Sequence, residues 1–111
     1  MAYVKDYTGR IEYRVENGTI CDYTGRILYR INGNYINDNT GRTLFRINGD
    51  DICDYTGRII MRFRGSDVCD YSGRIVYRLN RDDICDYTGR ILYRLDGYIS
   101  SSELAAIIAI I

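Results

Sequence analysis

The sequence predicts a mainly β protein: six 16-residue β-hairpin repeats in an up-and-down meander, closing into a barrel or flower around a short buried C-terminal α-helix. Three observations carry this. Gly-Arg recurs at 9–10, 25–26, 41–42, 57–58, 73–74 and 89–90, a spacing of sixteen without a slip, and repetition at a fixed period is the mark of a repeat architecture. Each unit sets short apolar, β-favouring runs around turn words such as Asp22-Tyr23-Thr24-Gly25. The last dozen residues, SSSELAAIIAII, leave the repeat and read as a helix. With 111 residues the chain is a single domain, 1–111, with hairpins over about 3–98 and the helix over about 102–111.

The turns set the hairpin geometry. Asp22 and Gly25 occupy the first and last places of a four-residue turn, where a type I turn favours Asp and Gly, and Gly in the left-handed region then makes a three-residue loop with a G1 bulge. Asp22 then faces Arg26 across the hairpin. Regular alternation from there collects Cys21, Tyr23, Ile27, Tyr29 and Ile31 on one face, apolar throughout. Ile20, Asp22, Arg26, Leu28 and Arg30 fall on the other. The expectation is that the first face points inward and the second outward. Each unit closes at Asn-Gly (32–33, 48–49) or Asp-Gly (96–97).

A sheet with one apolar face needs a cover. The tail supplies it. Ser100 to Ser102 offer N-caps before Glu103, and the run that follows is apolar on all sides, as in a buried helix. Residues 102–111 would span roughly 15 Å as a helix, against about 16–17 Å for a five-residue strand. The helix therefore fits the middle of a ring of hairpins.

Repeats such as DYTGRILYR, followed by a short apolar C-terminal helix, resemble the bacterial beta-flower proteins, whose hairpin petals surround a central hydrophobic helix. The resemblance covers nearly the whole chain. It implies this fold and no assigned biochemical activity.

Composition narrows the function classes. Fifteen basic and fifteen acidic side chains cancel, so there is no specific nucleic-acid signal and no general attraction to anionic membranes. Histidine, the commonest acid–base group and metal ligand, is absent. The opening MAYVKDYTGR has no apolar signal core, so a cytoplasmic protein is expected, and no stretch reaches the length of a transmembrane helix.

The four cysteines, Cys21, Cys53, Cys69 and Cys85, hold one position of the repeat. Equivalent strands of a meander lie about 9–10 Å apart, beyond the roughly 7 Å limit for a disulfide. Free thiols are expected, with no metal and no cofactor. The pairs from Asp6/Arg10 to Asp86/Arg90 read as turn caps answered across the strand. A second series, Arg14, Arg30, Arg46, Arg62, Arg78 and Arg94, has no acid at a fixed partner position, with turn-proximal Asp50, Asp51, Asp82 and Asp83 placed to answer some of them, and forms an outer belt able to hold phosphates or carboxylates. The third unit deviates, with Asn37, Asn39 and Thr43 where its neighbours have Cys, Tyr and Ile. On the expected inner face these would mark a gap, a polar cavity or a partner contact. The overall expectation is a noncatalytic structural or interaction module, not an enzyme, whose partner is another protein or a further copy of the chain. The alternative is an anion- or lipid-binding protein using the Arg belt, on an architecture like that of tubby-like proteins.

Overall fold

The computed structural model describes residues 1–111. Twelve strands follow one another: β1 (Ala2–Asp6), β2 (Ile11–Glu16), β3 (Thr19–Cys21), β4 (Ile27–Asn32), β5 (Tyr35–Asp38), β6 (Thr43–Asn48), β7 (Asp51–Asp54), β8 (Ile59–Arg64), β9 (Asp67–Asp70), β10 (Ile75–Asn80), β11 (Asp83–Asp86) and β12 (Ile91–Gly97), then α1 (Ser101–Ile110). Each strand pairs antiparallel with its sequence neighbours, and β1 pairs with β12, so the meander closes into a barrel with no free edge. The closing strand runs straight through Asp96-Gly97, which is therefore not a hairpin turn. Gly97 has φ +109°, and a Cβ there would lie 2.6 Å from the Met1 carbonyl oxygen. Glycine is what lets β1 sit close enough to shut the barrel.

The Asp-Tyr-Thr-Gly turns form as expected. Gly25 N–H donates to the Asp22 carbonyl (3.1 Å) and Asp22 N–H to the Arg26 carbonyl (2.9 Å). Asp22 Oδ1 accepts from the Thr24 N–H, the Thr24 hydroxyl and the Arg26 N–H at 2.9, 2.5 and 3.1 Å. Arg26 thus answers the aspartate with its backbone, not its guanidinium. At the opposite rim the third-unit hairpin turns at Gly33-Asn34, since Asn32 pairs with Tyr35; the loop sits one residue later than the Asn-Gly reading placed it.

The face assignment is overturned. A second irregularity, absent from the sequence pattern, lies inside each hairpin: Ile20 pairs with Tyr29 but Cys21 with Ile27, leaving Leu28 as an extra residue. That residue flips the alternation. Ile20 therefore points inward with Tyr29 and Ile31, while Cys21 and Ile27 share the other side of the sheet with Arg30. Three six-membered rings follow. Val4, Ile20, Ile36, Ile52, Val68 and Ile84 form the middle one, all with no exposed surface. Tyr13, Tyr29, Phe45, Met61, Tyr77 and Tyr93 lie on one side of it, and Val15, Ile31, Ile47, Phe63, Leu79 and Leu95 on the other.

Helix α1 fills these rings. Four consecutive residues, Ala105 to Ile108, are buried, which on a 3.6-residue period means burial on every side. Its ten residues span about 15 Å, close to the 17 Å thickness of a molecule 35 by 33 Å across. Ser101 and Leu104 lie beside Ile47, Phe63 and Leu79 at one end, and Ile111 beside Tyr77 and Tyr93 at the other. Ser100 caps the helix in a capping box: its hydroxyl accepts from Glu103 N–H at 3.2 Å while Glu103 Oε1 accepts from Ser100 N–H at 3.0 Å. Glu103 Oε2 also takes the Gly18 N–H at 3.2 Å, tying the helix to the β2–β3 turn. Burial pushes the Glu103 carboxyl up, but the N–H groups of Ser100 and Gly18 outweigh it and hold the group below its ordinary value.

Candidate functional site on the outer wall

No polar or charged residue is buried in this protein, so its distinctive chemistry lies outside the barrel. The wall is built in rows across the strands. Directly paired residues of an antiparallel ladder point to the same side, and each belt arginine has two such neighbours. Arg14 lies between Tyr3 and Cys21, Arg30 between Thr19 and Asn37, and Arg46 between Tyr35 and Cys53. Arg62 lies between Asp51 and Cys69, Arg78 between Asp67 and Cys85, and Arg94 between Asp83 and Lys5.

A fixed partner position therefore does exist, eleven residues before each arginine: Tyr3, Thr19, Tyr35, Asp51, Asp67 and Asp83. The sequence offers Asp51 and Asp83 as turn-proximal acids for some of these arginines, and both do pair, but the fixed spacing itself stays hidden because the inner bulge shifts the register. Its occupants divide the wall. Arg62 Nε lies 3.0 Å from Asp51 Oδ1 and Arg94 Nε 3.6 Å from Asp83 Oδ1, and Lys5 at the seam is held by Asp96 at 2.9 Å. Arg14 and Arg46 instead lie over the Tyr3 and Tyr35 rings, at 6.0 and 5.5 Å from the centroids. Arg30 has neither a carboxylate nor a ring.

The cysteines are free, as expected, but they belong to this wall and not to the interior. Cys53, Cys69 and Cys85 are nonetheless buried, at 3–5% exposure, in grooves shared with arginines: Arg46 flanks Cys53, and Arg62 and Arg64 flank Cys69. Burial, then Asp51 and Asp54, pushes the Cys53 thiol up. Burial, then Asp83 and Asp86, does the same to Cys85. Both stay protonated at neutral pH and are poor nucleophiles. No three Cys, Asp or Glu side chains come together as a metal site.

The third unit is also corrected. Asn37 and Thr43 do not open a polar cavity inside the barrel; they replace Cys and Ile on the outer wall and satisfy one another, with Thr43 Oγ1 donating to Asn37 Oδ1 at 2.9 Å. Asn39 does not join them. It stands exposed at a turn tip, where Tyr7, Tyr23, Tyr55, Tyr71 and Tyr87 stand in the other five repeats. No helix is long and apolar enough to cross a membrane. Comparison with protein-family models, curated proteins and solved structures gives no match to this chain.

Proposed function

We propose that the chain is a noncatalytic interaction module of the beta-flower type, a filled barrel that acts through its outer wall. The observation that carries this reading is the filled interior, with no buried polar or charged residue: three rings of side chains and a helix occupy the space in which a barrel would otherwise hold a ligand. The charged and amide positions that vary between repeats lie outside. A partner found by affinity capture and then rebuilt from purified components should lose binding to an Arg14→Glu/Arg46→Glu variant that melts like the parent chain. A partner indifferent to wall variants, or turnover of a substrate by the purified protein, would contradict this reading.

A second reading, anion or lipid binding, is favoured by one feature. Arg14, Arg30 and Arg46 have no carboxylate across the ladder and Arg78 makes no ion pair with Asp67 opposite it, whereas Arg62 and Arg94 are paired. Flotation with phosphatidylcholine vesicles, with and without phosphatidylserine, separates the two readings. Binding that needs the anionic lipid and disappears at high salt supports the second.

A further inference from the structure

One row of the wall departs from the others at three of its four places. Elsewhere the position after the belt arginine is Cys or Lys and the next is Ile; here the row reads Thr19, Arg30, Asn37, Thr43. The Thr43 hydroxyl occupies the Asn37 carbonyl oxygen at 2.9 Å, which leaves the two N–H bonds of the Asn37 amide as donors. Arg30 adds a planar fork of five donors and no acceptor. None of the neighbouring carboxylates makes an ion pair with Arg30. Asp22 and Asp38 each accept three hydrogen bonds in their own turns, and Glu16, in the same row, stands two strands away and makes no ion pair. The result is a patch of donors around Arg30, whose guanidinium makes no ion pair within the molecule.

We infer that Arg30 and the Asn37 amide, positioned by Thr43, form a binding site for a phosphate group. The inference rests on the outer-wall reading above and names the ligand chemistry of one row. A guanidinium beside an amide N–H₂ matches the several acceptor oxygens of a phosphate. The Asn37–Thr43 bond has a defined task in this site, since it fixes which end of the amide faces the ligand. A Cys and an Ile, as in the next repeat, would supply neither donor nor orientation.

The test is a titration of the full chain with potassium phosphate, against potassium chloride at matched ionic strength, following the side-chain N–H signals of Arg30 and Asn37 by NMR. Saturable shifts at these two residues are expected. Binding should be weaker by about tenfold or more in Arg30→Gln and in the repeat-restoring pair Asn37→Cys/Thr43→Ile, as expected for losing charge-assisted hydrogen bonds, and unchanged in Arg62→Gln. Flotation with phosphatidylcholine vesicles, with and without phosphatidic acid, identifies the source. Flotation lost in the Asn37→Cys/Thr43→Ile pair assigns a lipid headgroup, and phosphate saturation without flotation assigns a free or small-molecule phosphate. Shifts of equal midpoint at all six belt arginines, an unaltered Asn37→Cys/Thr43→Ile protein, or no saturation would overturn the site. Should it fall while Arg14→Glu/Arg46→Glu still abolishes partner or vesicle binding, the outer-wall reading stands without it.

Discussion

Ile84 and Cys85 are neighbours on β11, yet they obey different rules. The Ile84 position holds Val or Ile in every repeat, because six side chains converging on one helix all meet the same distance to the axis. The Cys85 position holds Cys in four repeats, Asn37 in one and Lys5 in one. Each outer row faces solvent or its own arginine, so it can change without disturbing the next. The inner face sets the architecture. The outer face gives each repeat its individuality.

The contrast is sharpest at the helix, where the largest effect is expected. Deleting Leu104 to Ile111 removes the cover of all three rings, and at roughly 1.5–3 kcal/mol for each fully buried large side chain the loss rivals the about 5–15 kcal/mol net stability of a domain. The truncated chain should aggregate or fail to fold. Ile108→Asp should lower the melting temperature steeply, because an unpaired charge at the centre has no partner. Unchanged melting in both variants would remove the inner–outer distinction altogether.

A paired substitution tests the two faces of one repeat. Ile84→Ala should cost about 2–5 kcal/mol in denaturant unfolding, as for buried aliphatic truncations. Ile91→Ala, opposite Cys85 on the wall and only half-buried, should cost about 1 kcal/mol. Equal losses would mean that both faces are packed alike.

Acid sensitivity should come wholly from the rims and the wall, since the interior holds no carboxylate. In all six turns the aspartate sits below its ordinary value, chiefly through the hydroxyl two residues on, from Thr8 at Asp6 to Thr88 at Asp86, with Ser72 serving Asp70. A carboxyl depressed in the folded state contributes stability above its unfolded pKa and loses it as pH falls through the folded value. Melting temperature should thus hold steady to about pH 4 and fall below it. Asp54→Asn should shallow that fall slightly.

The smallest effect is expected at a rim. Arg81 adopts φ +58° at the β10–β11 turn, where Gly33, Gly49 and Gly65 serve three of the other hairpins with φ near +61° and Asn17 the fourth with φ +49°. Arg81→Gly should raise stability by up to about 1 kcal/mol, since a side chain disfavours this region.

Much of this was legible in the sequence. The period of sixteen, the Asp-x-Thr-Gly turn geometry, the closing meander and the capped apolar helix all follow from local chemistry. The inward face did not, because Ile27, Leu28 and Tyr29 are all apolar and the pattern alone cannot say which of them is the extra residue. That single ambiguity moved Cys21 indoors and Ile20 outdoors. It also hid the fixed partners of the arginines. Asn37 and Thr43 stood out as deviations, but their hydrogen bond to each other and their place beside Arg30 depend on the register.

Methyl NOEs from Ile107 and Ile108 test the central claim most directly. The arrangement described predicts contacts from the methyl groups of these two residues to several members of the Ile20, Ile36, Ile52 and Ile84 ring around the barrel, and none to Ile27, Ile59, Ile75 or Ile91. Contacts to the latter set, or to one side of the ring alone, would place the helix elsewhere and return the cysteines to the interior.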